Sequence, residues 1–195
     1  MRPISIATLV LLATLAGCAT APSRITNACS IFEEKDSVFD NWRRQAKSVE
    51  REYGVPVPVL MATIYTESAF KARARPPRKY LFGFIPWGRI SSAYGYAQAL
   101  DGTWARYKRE TGRWTADRTD FGDAVRFIGW YHSTSSRVNG VRLNDTYGLY
   151  LNYYFGHKGY ANGSWRSNAT IQRAARRSAN MAERYEQQLR QCGQR

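Results

Sequence analysis

Residues 58–70 read PVLMATIYTESAF, and the reading of this stretch decides the fold. Leu60 and Ile64 are four apart and Glu67 follows three later, so a helix puts all three on one face. A carboxylate therefore ends an apolar stripe. Two readings stand. Glu67 is either a solvated charge, the usual state of a glutamate, or a carboxyl at the floor of a cleft. In the second case desolvation raises its pKa, keeps it protonated near neutral pH and suits it to act as a general acid.

Upstream, Ser30 with Glu33 makes a capping box. Phe39, Trp42, Ala46, Val49 and Tyr53 follow at helical spacing, and Gly54 stops that helix. Residues 55–57 form an extended link, and Pro58 suits the first turn of the Glu67 helix. Downstream, residues 71–92 hold no helical period. They combine Arg73, Arg75, Arg78 and Lys79 with Pro76, Pro77, Pro86, Tyr80, Phe82, Phe84 and Trp87. This reads as a long loop with exposed aromatics; a flap over a substrate is favoured, with a segment that touches a membrane or one docked on its own body as the alternatives.

Residues 94–104 (YGYAQALDGTW) read as a turn and a short helix. In 120–132, Ala124, Phe127, Ile128 and Tyr131 share a helical face behind an Asp120 N-cap. Residues 133–144 read as a polar loop, and 147–154 as a buried aromatic helix ended by Gly156 and Gly159. Ser167 or Asn168 caps a last helix whose inner face is Ile171, Ala175, Ser178, Ala182, Tyr185 and Leu189. Its Arg-rich outer face reads as solvated surface. Strand signals are weak throughout, and no repeat is present.

The 195 residues suit one domain with one core, and an aromatic share of 14% argues against disorder. The net charge of +14 would ordinarily point to nucleic acid. The N-terminus excludes that partner. Arg2 precedes a mostly apolar run, 4–16, that is too short to span a bilayer comfortably. It closes on Leu15-Ala16-Gly17-Cys18, which resembles a bacterial lipoprotein signal; the alternative is an ordinary secretory signal with a chance cysteine. The resemblance implies cleavage after residue 17 and acyl chains on Cys18. With Ala19 rather than aspartate following, it implies the periplasmic side of the outer membrane. Residues 18–28 then form a polar tether, of which the ten residues 19–28 reach about 35 Å at most when extended, and 29–195 form the single folded domain.

Lipidation leaves Cys29 and Cys192. We expect a disulfide between them, tying the first helix to the last in an oxidising compartment, with two free thiols as the alternative. The chain has two histidines and no Cys/His ligand spacing, so neither a metal nor a cofactor is expected.

Glu67-Ser68-Ala69-Phe70 followed by Gly95-Tyr96-Ala97-Gln98 resembles the SLT-type lytic transglycosylases. In that family a Glu-Ser pair ends the first core helix and a Gly-Leu-Met-Gln turn follows. Gly95 and Gln98 match, Tyr96 and Ala97 replace the middle pair, and Thr103 falls where the family has a threonine. The family's Ala-x-Tyr-Asn-x-Gly element matches Asn152-Tyr153-Tyr154-Phe155-Gly156, with Tyr154 in place of asparagine and Tyr150 a second candidate for the tyrosine. The spacing from Glu67 to Gln98 exceeds the family's, and the aromatic loop absorbs the excess. The resemblance spans roughly residues 29–160. It implies a mainly α, lysozyme-like domain with that loop inserted between the first core helix and the Gly-Tyr-Ala-Gln turn.

The same resemblance implies that peptidoglycan glycan strands are the substrate and that one glutamate serves as acid and then base, closing a 1,6-anhydro ring on MurNAc. Glu67 takes that role. Ser68, Gly95, Tyr96, Gln98 and Tyr153 are implied substrate-side residues, with Tyr153 holding Glu67; Trp87 and Tyr160 are further candidates to stack on sugars. The competing readings are a lysozyme-like hydrolase with Asp101 or Asp123 as second carboxylate, and a non-catalytic wall-binding lipoprotein.

Overall fold

The computed structural model describes residues 20–38 and 40–193. The leader, Cys18 and Phe39 lie outside the described residues. Seven helices and one hairpin make up the described elements. Helix α1 (Ala28–Lys35) is capped by Asn27, whose side chain accepts from the Ser30 amide, so the Ser30–Glu33 capping box does not form. Helix α2 (Trp42–Tyr53) starts at Asn41, buries Trp42, Ala46 and Val49, and ends on Gly54 in the left-handed region.

Helix α3 (Val57–Ser68) carries Pro58 in its first turn and buries residues on every side, as a helix at the centre of a domain does. It packs against α7 (Ala169–Gln191), α5 (Phe121–Asn139) and α2. It stops abruptly because Ala69 and Phe70 both take positive φ, 50° and 60°. Left-handed backbone costs a non-glycine residue about 1 kcal/mol or more. The fully buried Phe70 ring, 6.1 Å from Trp42, offsets that cost. Trp42 also stacks on Phe121 at 3.9 Å and meets Tyr96 edge-on at 5.6 Å.

The loop expected over 71–92 contains a two-stranded antiparallel hairpin, β1 (Arg78–Leu81) and β2 (Ile85–Arg89). Two glycines and Pro86 mask its alternation in the sequence. Helix α4 (Asp101–Thr111) follows. Helix α5 is capped by Asp120 as expected but continues to Asn139, over the first half of the stretch read as a polar loop. Thr134 and Ser135 turn their hydroxyls onto the Trp130 and Tyr131 carbonyls, which satisfies them inside the helix. Helix α6 (Thr146–Ala161) is two helical segments joined at Gly156, whose φ 73° and ψ 161° interrupt the helix there as expected, while the second segment runs on past Gly159. Helix α7 is capped by Asn168.

The stretch read as a free tether is docked from residue 20 onward. Lys35 Nζ donates to the Thr20 carbonyl at 2.7 Å, and Ser23 donates twice to Glu34. Tyr185 donates to the Ile25 carbonyl, and Gln188 clasps Thr26 and Ala28. The Cys29–Cys192 disulfide joins α1 to the end of α7 beside this clasp. Closing so long a loop stabilises the fold by up to about 5 kcal/mol in the chain-entropy account.

Candidate active site

Glu67 occupies the last turn of α3. The residue is half-buried, yet its carboxyl sits deep among protein atoms. Burial pushes its pKa from 4.5 up to about 7, and the Tyr150 hydroxyl, within hydrogen-bonding reach, pulls it partly back. The carboxyl also stands at the negative end of the α3 dipole, which opposes ionisation in the same direction. Among the described residues no charged side chain contributes to this shift and no ion pair reaches Glu67. Near pH 7 the group therefore exchanges its proton readily, and the arrangement can donate one proton and take one back.

Helix α6 faces the carboxyl with two tyrosines, Tyr150 and Tyr153. Burial, then the nearby Glu67 charge, raises the pKa of both, so both stay protonated donors. Their roles differ from the sequence expectation. Tyr153 donates to the Ala97 carbonyl rather than to Glu67, and so ties α6 to the Gly-Tyr-Ala-Gln turn. Tyr150, one helical turn earlier, reaches the carboxyl instead.

The turn itself is held by backbone. Gly95 has φ 80°, donates to the Ala74 carbonyl at 3.1 Å and lies against the Arg118 carbonyl. Gln98, also at positive φ, spends its amide N–H groups on the Ala74 and Gly95 carbonyls at 2.9 Å. Tyr96 is a correction to the sequence reading: it is buried at 2% exposure between Trp42 and Phe121 and presents no face to a sugar. Ser68 is buried and donates to the Ile64 carbonyl, a helix-end hydroxyl in its ordinary place. Tyr160 stacks on Trp165 at 6.0 Å, whereas Trp87 is exposed on the hairpin.

One residue that sequence reasoning missed is Arg118. Its carbonyl accepts from Tyr96, and its guanidinium reaches the Ala99 and Ser92 carbonyls and Asp101, the last at 2.7 Å. A lone arginine in a polar run carries no signal of such a knot. Asp101 is thereby an ion-pair partner at the start of α4, and Asp123 accepts from the Asp117 amide. Among the described residues no cluster of three metal-ligating side chains occurs. A cavity of about 630 Å³ lies at the other end of α3 around Pro56 and Pro58. A second, about 450 Å³, runs between α3 and α7 past Thr66 and Ala69.

The description "Transglycosylase SLT domain" belongs to a family model that matches residues 6–192. No curated protein matches the chain. A match over nearly the whole length, a mainly helical fold and a desolvated glutamate ending the central helix agree with one another. The chain belongs to the SLT-domain family, the lytic transglycosylases that act on peptidoglycan.

Proposed function

We propose that the protein cleaves the MurNAc–GlcNAc bond of peptidoglycan with formation of 1,6-anhydro-MurNAc ends, and that Glu67 carries both proton transfers. The protonated carboxyl gives its proton to the glycosidic oxygen as the bond to the anomeric carbon breaks. The resulting carboxylate takes the proton of the MurNAc C6 hydroxyl, whose oxygen bonds to the anomeric carbon and closes the ring. No water enters, and Glu67 ends as it began. The substrate's own N-acetyl group supports the positive charge at the anomeric carbon, as family resemblance implies. The observation that carries this reading is a carboxyl raised to about 7 with no second carboxylate acting on it among the described residues. A hydrolase of the two-carboxylate kind needs a partner, and Asp101 and Asp123 are engaged elsewhere.

Tyr150 orients the carboxyl and tempers its pKa. Ser68, Gly95, Gln98 and Tyr153 support the Glu67 site from behind through the backbone contacts described. The leader signal supports an acylated Cys18 and a position on the periplasmic face of the outer membrane. Digestion of purified sacculi followed by mass analysis of the muropeptides tests the reaction. Anhydro ends are expected; reducing ends would make the protein a hydrolase, and no release would make it a binder. Tyr150→Phe removes the one hydrogen bond that favours the carboxylate. The Glu67 pKa then rises further, and the alkaline limb of the kcat/KM profile moves to higher pH, read from rates at fixed low substrate.

A further inference from the structure

We infer that the β1–β2 hairpin is a docking element for an anionic lipid surface. The hairpin is apolar and exposed from its tip back along β2: Phe82 is 79% exposed, Phe84 73%, Ile85 42% and Trp87 70%, with Ile90 at 58% just past the strand. Side chains of this size are rarely left together in water without a partner. The flanks are basic. Residues 71–92 hold Lys71, Arg73, Arg75, Arg78, Lys79 and Arg89, all exposed, and no aspartate or glutamate. Arg78 and Arg89 are cross-strand partners. Like charges placed opposite one another destabilise a hairpin, and an anionic surface relieves that repulsion.

The chemistry separates lipid from sugar. Between residues 81 and 90 (LFGFIPWGRI) only Trp87 and Arg89 carry a side-chain hydrogen-bonding group. A sugar needs donors and acceptors along its rim, whereas acyl chains need none. Apolar residues at a tip with cations behind them match the depth order of hydrocarbon and headgroup in a bilayer.

Position supports the same occupant. The first described residue, Thr20, is held by Lys35, whose ammonium stands 5.8 Å over the Trp42 ring. Trp42 in turn packs on Phe70, from which the chain runs into the hairpin. Ile25 and Ala69 line one cavity. Thr20 and the base of the hairpin thus lie at the same end of the domain, so a chain acylated at Cys18 would start from that end. This last point rests on the acylation of Cys18 proposed above; the exposure and charge of the hairpin do not.

The test uses the full exported chain in vesicles containing phosphatidylglycerol with brominated acyl chains, with tryptophan emission as the readout. Quenching is expected in the wild type and severalfold less in Trp87→Phe, whose fold is spared because the side chain is exposed. Phe82→Ser/Phe84→Ser, and separately Arg78→Glu/Lys79→Glu, are expected to reduce the Trp87 component more than tenfold, as are vesicles of neutral phosphatidylcholine. Equal quenching in wild type and Trp87→Phe overturns the proposal. So does a Trp87 response to glycan strands or to protein concentration but not to vesicles. The mass of the N-terminal peptide reads acylation separately. An unacylated chain whose Trp87 is still quenched by anionic vesicles keeps the hairpin proposal and removes the anchor.

Discussion

Glu67→Gln lowers release of anhydro-muropeptides about a thousandfold or more, while the variant still sediments with sacculi. A positioned acid–base group contributes about 10²–10⁴ in rate, and here one group serves both steps. Glutamine keeps the volume and one hydrogen-bonding oxygen but has no proton to give. Wild-type-like turnover in the variant would remove Glu67 from the mechanism. The wild type carries a matching pH signature. The free enzyme needs the protonated carboxyl, so kcat/KM falls about tenfold per pH unit above about 7.

Stability responds to the same group. The folded pKa, about 7, lies above the ordinary 4.5. The stabilisation this supplies is fully present below about pH 4.5, declines as pH rises, and is gone once pH has passed about 7. It amounts to at most about 3 kcal/mol. Glu67→Gln lacks this dependence. Denaturant unfolding at pH 5 and at pH 8 is expected to show the wild type losing ground to the variant at the higher pH. An equal difference at both values would mean the carboxyl is not desolvated in the folded protein.

Gly95→Ala is expected to cost roughly 3 kcal/mol or more, since a left-handed position and a steric clash coincide. The backbone sits at φ 80°, where an L side chain is strained, and the added Cβ would lie 2.1 Å from the Arg118 carbonyl oxygen and 2.7 Å from its carbon. Those atoms are backbone and cannot swing aside. Relief requires moving the turn away from Arg118, which breaks the Tyr96 amide bond to it and pulls on the Ala97 carbonyl held by Tyr153. A Tm drop of about 6–12 °C follows for a chain of this size, with activity lost alongside. Gly102→Ala is the control. That glycine lies in the first turn of α4 with nothing within 4 Å of an added Cβ, and the change is expected to be neutral or slightly stabilising. Equal melting of the two variants would show that the close approach at Gly95 carries no weight.

Much of the helical frame was legible because its signals are local. Gly54, Asp120 and Asn168 mark helix ends by the chemistry of their own side chains or backbone, and Pro58 by its fixed φ. Some misreadings are local, and others involve residues whose state depends on distant partners. Thr134 and Ser135 look like loop residues until their hydroxyls are seen bonded back into α5. Residues 20–27 look like a linker until Tyr185 and Gln188, at the far end of the chain, claim their carbonyls. Tyr96 looks like a sugar platform until Trp42 and Phe121 close over it.

By itself the sequence determined that a carboxylate ends an apolar helix and that a Gly-Tyr-Ala-Gln turn follows. Periodicity and turn chemistry act over a few residues and are written in order. Only the tertiary structure decided that Tyr150 rather than Tyr153 meets Glu67, that Arg118 knots the turn, and that burial brings the carboxyl to about 7. Desolvation is a property of everything packed around a group, and here the packing comes from helices far apart in the chain.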